Sequence, residues 1–219
     1  MKLVFASNNA HKLSEVRNML PRGIEVLSLR DIGFNAVIEE TGVTLAENSR
    51  IKAETVWEWI SRLPSEVSLQ VDGVFADDTG LEIDALGGEP GVYTARWYKT
   101  DGNHLTSNVT TPEDENEIFA ANRAKALRML EGHSDRGCQF KTVITLIRRG
   151  HGVKQFEGIV RGCIATEEHG QGGFGYDPVF IPDGYDKTFG ELPAETKNRI
   201  SHRARAMQSL ANYLDRYQV

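Results

Sequence analysis

Apolar residues recur in short runs in some parts of this chain and at every third or fourth position in others. The exchange between the two patterns predicts the order of its elements. The run at 2–6 (KLVFA) predicts a buried strand. Leu13, Val16, Met19 and Leu20 follow at helical spacing, and Pro21 with Gly23 ends that helix. A second strand is expected over 24–29, and a long helix from about 44 to 63. On that helix Leu45, Ala53, Val56 and Ile60 form one stripe, with Asn48, Lys52 and Thr55 on a neighbouring polar one. The stretch 74–96 carries FADDTGLEIDALGGEPGVYTAR. Its apolar run leads into Asp77 and Asp78 at a strand end. After Thr79-Gly80, Leu81, Ile83 and Ala85 alternate with Glu82 and Asp84, the period of a half-buried strand.

A Gly-Gly turn and Pro90-Gly91 follow, then a polar stretch at 97–116 that reads as a mobile loop or insertion. Ile118, Ala121, Ala124, Leu127 and Leu130 predict a helix over 117–131. Strands are expected at 140–148 and 153–160, joined like a hairpin through 149–152. A further strand at 160–165 runs into a glycine-rich loop at 170–180. The last helical segment, 192–217, has a core stripe of Ile200, Ala204, Met207, Leu210 and Leu214. Lys197, His202 and Arg203 do not share a face of one ideal helix. A break near Ser201, with that serine capping the helix that follows, would let all three approach one ligand. Strands alternate with helices in the first half and cluster in the second. That order predicts an α/β protein of one domain, 1–219, with a mixed, elongated sheet flanked by helices and two lobes around a cleft.

Composition narrows the function classes. The 219 residues are 40% hydrophobic and 26% charged, ordinary for a water-soluble globule. The formal net charge of −6 excludes a broad nucleic-acid footprint, so positive contacts to an anionic ligand must be local. The chain starts on a strand-like segment with no apolar run of signal-peptide length. No segment approaches the ~18 apolar residues of a membrane span. Cys138 and Cys163 lie outside any metal-ligand spacing and read as buried, reduced thiols of a cytoplasmic protein.

Three stretches carry candidate chemistry. Ser7-Asn8-Asn9-Ala10-His11-Lys12 lies between a strand and a helix N-terminus, where free backbone N–H groups and Lys12 suit an anion. The GxxxxGK[ST] loop is absent, and the alternative use is a plain Asn/Ser helix cap. Asp77 and Asp78 beside a glycine suit a hard cation, and strand alternation admits only one of them to a given cleft. The alternative is an acidic surface turn. Glu39 or Glu40, ahead of the long helix, would supply a second carboxylate. In the loop at 170–180, Phe174 could stack on a base, or the aromatic-glycine turn could pack on the core.

Taken in series, SNNAHK at 7–12, EETGVTLAENSRIKA at 39–53, ADDTGLEIDALGGEPGVYTARW at 76–97, GGFGYDPVF at 172–180 and SHRARA at 201–206 resemble the inosine triphosphate pyrophosphatase (dITP/XTP pyrophosphatase) family. The likeness covers essentially the whole chain. The first block departs slightly, with Ser7-Asn8 and His11 where the family commonly has Thr-Gly and Gly. The insertion after Trp97 is longer than usual for the family.

The resemblance implies Mg2+-dependent hydrolysis of ITP, dITP and XTP to the monophosphate and pyrophosphate, cleansing the nucleotide pool. It implies that residues 7–12 hold the polyphosphate, and that Asp78 ligates magnesium and accepts a proton from the attacking water. Glu39 completes the acidic set; Asp77, Glu40 and Lys52 are second choices, and Thr79 contacts substrate. Phe174, Gly175, Tyr176 and Asp177 with Lys197, His202 and Arg203 would select the base. A homodimer is expected from the same resemblance, with no nucleic-acid polymer and no membrane as partner. Maf-like pyrophosphatases lack the GFGYDPVF and SHR blocks. Haloacid-dehalogenase-like phosphatases require D-x-D-x-T on the first strand, which this chain lacks.

Overall fold

Leu3, Val4 and Phe5 of β1 (Lys2–Phe5) are all buried, as a strand covered on both faces requires. β1 lies between β2 (Glu25–Leu27) and β3 (Gly73–Ile83) and runs parallel to both, Lys2 opposite Glu25 and Leu3 opposite Gly73. Gly73 allows close packing: a Cβ there would sit 2.5 Å from the Ile147 carbonyl oxygen. In this computed structural model residues 1–101, 104–105 and 114–216 are described. β4 (Thr100–Asp101) and β5 (His104–Leu105) form a separate antiparallel pair. β6 (Gly137–Arg148), β7 (Gly152–Ile164) and β8 (Phe180–Pro182) complete a six-stranded sheet of order β2-β1-β3-β6-β7-β8. β7 and β8 are antiparallel, so the sheet is mixed and the fold is α/β.

The chain forms two compact units. The first comprises Met1–Asp78, Thr142–Gly158 and the residues from Arg203 onward. Alternation along its strands sends side chains to two faces. Leu3, Phe5 and Phe75 meet Val16 of α1 (Ala10–Met19) and Met207, Leu210 and Leu214 of α6 (His202–Arg216). Val4, Ala6, Val74 and Ala76 meet Ala53, Val56 and Ile60 of α2 (Leu45–Ser61) on the other. α1 starts where the Asn9 side chain accepts from Lys12 N. α2 starts at a Thr44–Glu47 capping box. The short α3 (Ser65–Ser68) precedes β3.

The second unit comprises Thr79–Lys141 and Ile159–His202. Leu81 and Ile83 of β3, Phe140, Val160, Ile164 and Phe180 pack with Ala126 and Leu130 beside them, Ala126 belonging to α4 (Glu115–Met129). Trp97, Tyr176, Val179 and Phe189 complete that core. α5 (Ala194–Ile200) ends at Ser201, whose extended backbone separates it from α6. The expected break near Ser201 is therefore present.

Four expectations are corrected. Cys138 is buried as expected, but Cys163 is exposed. The strands expected at 153–160 and 160–165 are one continuous strand, β7. The acids at 77–78 do not end a strand: β3 runs through them for 11 residues, because Thr79 and Gly80 stay extended. It stops at Ile83, and Ala85 belongs to a 3₁₀ turn over Asp84–Leu86 closed by left-handed Gly87. The expected polar insertion at 97–116 begins too early. Trp97 is fully buried, within a 3₁₀ segment Gly91–Lys99. The Lys125 ammonium holds that segment by donating to the Trp97 carbonyl at 2.9 Å and the Thr100 carbonyl at 2.7 Å. Residues 102–103 and 106–113 of the expected mobile stretch lie outside the described residues.

Candidate functional site

In the first unit the strand parity of β3 separates the two aspartates. Asp77 shares the face of Phe75, covered by α1 and α6; Asp78 shares that of Ala76, covered by α2. Asp77 Oδ1 accepts from Lys12 Nζ at 3.0 Å and Oδ2 from Arg203 Nε at 3.2 Å. Arg203 Nη1 donates in turn to Glu15 of α1. Asp78 Oδ1 accepts from Lys52 Nζ at 2.7 Å, and the same ammonium donates to Glu40 Oε1 at 2.9 Å. Lys52 is delivered by α2, whose N-terminal turn also fixes the segment ahead of it. Asn48 Oδ1 accepts from Gly42 N at 2.8 Å, and Glu47 accepts from Val43 N and Thr44 N.

These contacts set the protonation states. Burial would raise the Asp77 carboxyl, but Lys12 and Arg203 outweigh it and hold the group well below the usual carboxylate range. At Asp78 burial prevails over Lys52 and the pKa is raised. Burial opposes the charge of Lys52, yet Asp78 and Glu40 keep its pKa raised. Lys12 is lowered by burial and by the neighbouring cations Arg203 and Lys52, against the pull of Asp77.

The loop after β1 and the first turn of α1 present Asn8, Ala10 and His11 at the surface, with Ser7, Asn9 and Lys12 partly buried. Asn9 N donates to Ser7 Oγ at 3.3 Å, and Asn9 Oδ1 caps α1. Glu39 is exposed, whereas Glu40 reaches Lys52. Asp78 and Glu40 thus converge on one cation. Among the described residues no group of three or more His, Cys, Asp or Glu side chains converges in a way that could hold a metal ion. Two carboxylates are nonetheless what Mg2+ takes from a protein when water and substrate phosphates fill its other positions.

In the second unit Asp177 folds back over its own turn. Its Oδ2 accepts from Phe174 N at 2.7 Å and from Lys197 Nζ at 2.6 Å. Gly173, at φ +73, is needed there because a Cβ would lie 1.9 Å from Asp177 Oδ2. Lys197 Nζ sits 4.5 Å from the centroid of the Phe174 ring, a cation–π contact. His202 is buried with its ring stacked on Phe140 at 4.9 Å. Tyr176 is a core residue: its ring meets Phe140, its hydroxyl donates to the Thr94 carbonyl at 3.1 Å, and burial raises its phenol pKa. Thr79 is partly buried on β3.

The structure brings Lys12, Asp77 and Arg203 together, and separately Lys52, Asp78 and Glu40. It brings Phe174, Asp177 and Lys197 together around the glycine turn. Sequence reasoning missed Glu15, the second anchor of Arg203, and Arg123, which donates to the Gly175 carbonyl at 2.9 Å. Lone charges on amphipathic helices, they carry no local signal separating them from solvated ones.

The sequence profile of the Ham1 family matches residues 3–213. A dITP/XTP pyrophosphatase of Flavobacterium johnsoniae is 44% identical over 216 residues, covering 98% of each chain. Another, from Christiangramia forsetii, is 42% identical over 99% of this chain and 100% of its own. The solved structure of the Staphylococcus aureus Ham1 protein superposes with a TM-score of 0.81 at 33% identity over 100% of both chains. The motifs, the six-stranded sheet and these full-length matches agree: the chain belongs to the Ham1 family.

Proposed function

We propose that this nucleoside triphosphate pyrophosphatase hydrolyses dITP, XTP and ITP to the monophosphate and pyrophosphate with Mg2+, removing these nucleotides from the cytoplasmic pool. The observation that carries the reading is the buried Asp78 carboxylate, held by a lysine that it shares with Glu40. Asp78 and Glu40 are the side chains we assign to Mg2+; Glu39, next to Glu40 in the chain, is exposed. When bound, the ion would neutralise charge on the phosphates and orient the nucleotide. Residues 7–12, at the N-terminus of α1, and Lys12 are assigned to the polyphosphate. Asp78, buried and held by Lys52, is also assigned to take the proton from the attacking water.

The second unit is assigned to the base. Phe174 stacks on the purine, and Lys197 and His202 donate to its 6-oxo group. A site built of donors rejects adenine, whose 6-amino group leaves them unpaired, by a factor of up to ~10⁴. Arg203, already held by Asp77 and Glu15, is assigned to positioning Asp77 instead. Support comes from the names of the relatives, which are dITP/XTP pyrophosphatases. No helix among the described residues is long and apolar enough to cross a membrane.

A panel of dITP, XTP, ITP, dGTP and dATP, assayed with and without Mg2+ for pyrophosphate and orthophosphate, tests the reading. Pyrophosphate from the first three, lost on chelation, is expected. Orthophosphate as the product, or equal rates on dATP, would reject it. The chain is expected to form a homodimer, and a monomeric mass by light scattering at micromolar concentration would contradict that.

A further inference from the structure

Helix α4 contributes two side chains to the glycine turn, one helical turn apart on the same face. Phe119 packs against Phe174 with ring centroids 6.3 Å apart. Four residues on, the Arg123 guanidinium donates through Nη1 to the Gly175 carbonyl at 2.9 Å and pairs through Nε with Glu168 at 3.0 Å. Arg123 is well shielded, its side chain 14% exposed, whereas Glu168 is 39% exposed. Asp177 pins the turn from its other end, through the Phe174 N–H and Lys197.

We infer that Arg123 is a specificity-determining positioning residue. By holding the Gly175 carbonyl against α4 it fixes the plane of the Phe174 ring and the height of Lys197 above it. This rests on the assignment of Phe174 and Lys197 to the purine, which Arg123 itself need not touch. The physical reason is that a glycine-rich turn has little intrinsic rigidity. A base stacked on a ring gains from the contact only if the ring is already in place, since ordering it on binding costs free energy. A guanidinium donates in a fixed plane, so Nη1 can hold the Gly175 carbonyl while its charge attracts the Glu168 carboxylate beside Nε, a contact of charge and not a second hydrogen bond; a lysine cannot keep that geometry.

The test compares wild type with Arg123→Ala, Arg123→Lys and Glu168→Gln. It measures kcat/KM on dITP and dATP, and product inhibition by IMP and by pyrophosphate. In Arg123→Ala the dITP preference and the affinity for IMP are expected to fall about tenfold, the factor attached to losing one charge-assisted hydrogen bond. Inhibition by pyrophosphate is expected to stay within twofold of wild type. Arg123→Lys should recover part of the loss, and Glu168→Gln should show a smaller loss of the same sign. Glu168→Gln changes only an exposed carboxylate, so it decides the matter if Arg123→Ala does not fold. Folded variants with an unchanged dITP/dATP ratio and unchanged IMP inhibition overturn the inference, as does an equal weakening of IMP and pyrophosphate. A wild type that does not distinguish dITP from dATP would reject the base assignment itself, a result separable from either.

Discussion

Asp78→Asn is expected to lower kcat on dITP by at least roughly 10²–10⁴-fold, the range attached to a positioned proton acceptor. The fold should survive. Asparagine keeps the volume of the side chain and an oxygen to accept from Lys52, whose ammonium retains Glu40 at 2.9 Å. Burial raises the Asp78 pKa, so the native state pays for this charge rather than profiting from it. The sign follows. A carboxyl raised on folding favours the native state below its unfolded pKa, and that contribution is lost as pH rises through the folded value. Asp78→Asn lacks this dependence, so its stability relative to wild type should improve from acid toward neutral pH. Stopped-flow or steady-state pyrophosphate assays, with thermal unfolding at two pH values, check both halves. Near-wild-type turnover by a folded variant would remove Asp78 from the chemistry.

Arg203→Ala is expected to act on stability first. The guanidinium is 2% exposed and spans Asp77 and Glu15. Removing it takes from the buried Asp77 carboxylate one of the cations that hold it, Lys12 staying in place, a change that costs up to about 3–5 kcal/mol. For a chain of this size that corresponds to a fall in Tm of roughly 6–20 °C. The pH dependence has the opposite sign to that of Asp78. Asp77 is held below the usual range, so its stabilisation is complete above the ordinary carboxylate pKa and lost as pH falls through the folded value. Without Arg203 that loss begins at higher pH, and acid unfolding should shift upward. A variant with wild-type stability and an altered preference between ITP and ATP would return Arg203 to the base-reading set.

Much of the site's scaffold was legible locally. The Asn/Ser cap at the start of α1 and the stripes of α2 and α6 act within one or two helical turns, where spacing in sequence equals spacing in structure. The break at Ser201 could be inferred because Lys197, His202 and Arg203 cannot share a helix face. Strand parity likewise implied that Asp77 and Asp78 point opposite ways.

What parity does not say is which helix covers which face. That choice lies between residues far apart in the chain: Lys12 meets Asp77 across 65 positions, and Arg203 meets it across 126. Only tertiary packing assigned Asp77 to an ion-pair network and Asp78 to a lysine shared with Glu40. The same packing left Glu39 exposed and moved Tyr176 into the core. It also recruited Glu15 and Arg123 from helix faces that look solvated in sequence. The sequence by itself determined the order of the main helices and strands, the cap of α1 and the family motifs, because those depend on neighbours along the chain. The tertiary structure alone decided which charges are paired and buried. Desolvation is repaid only by a specific partner at hydrogen-bond distance, and no local pattern encodes who that partner is.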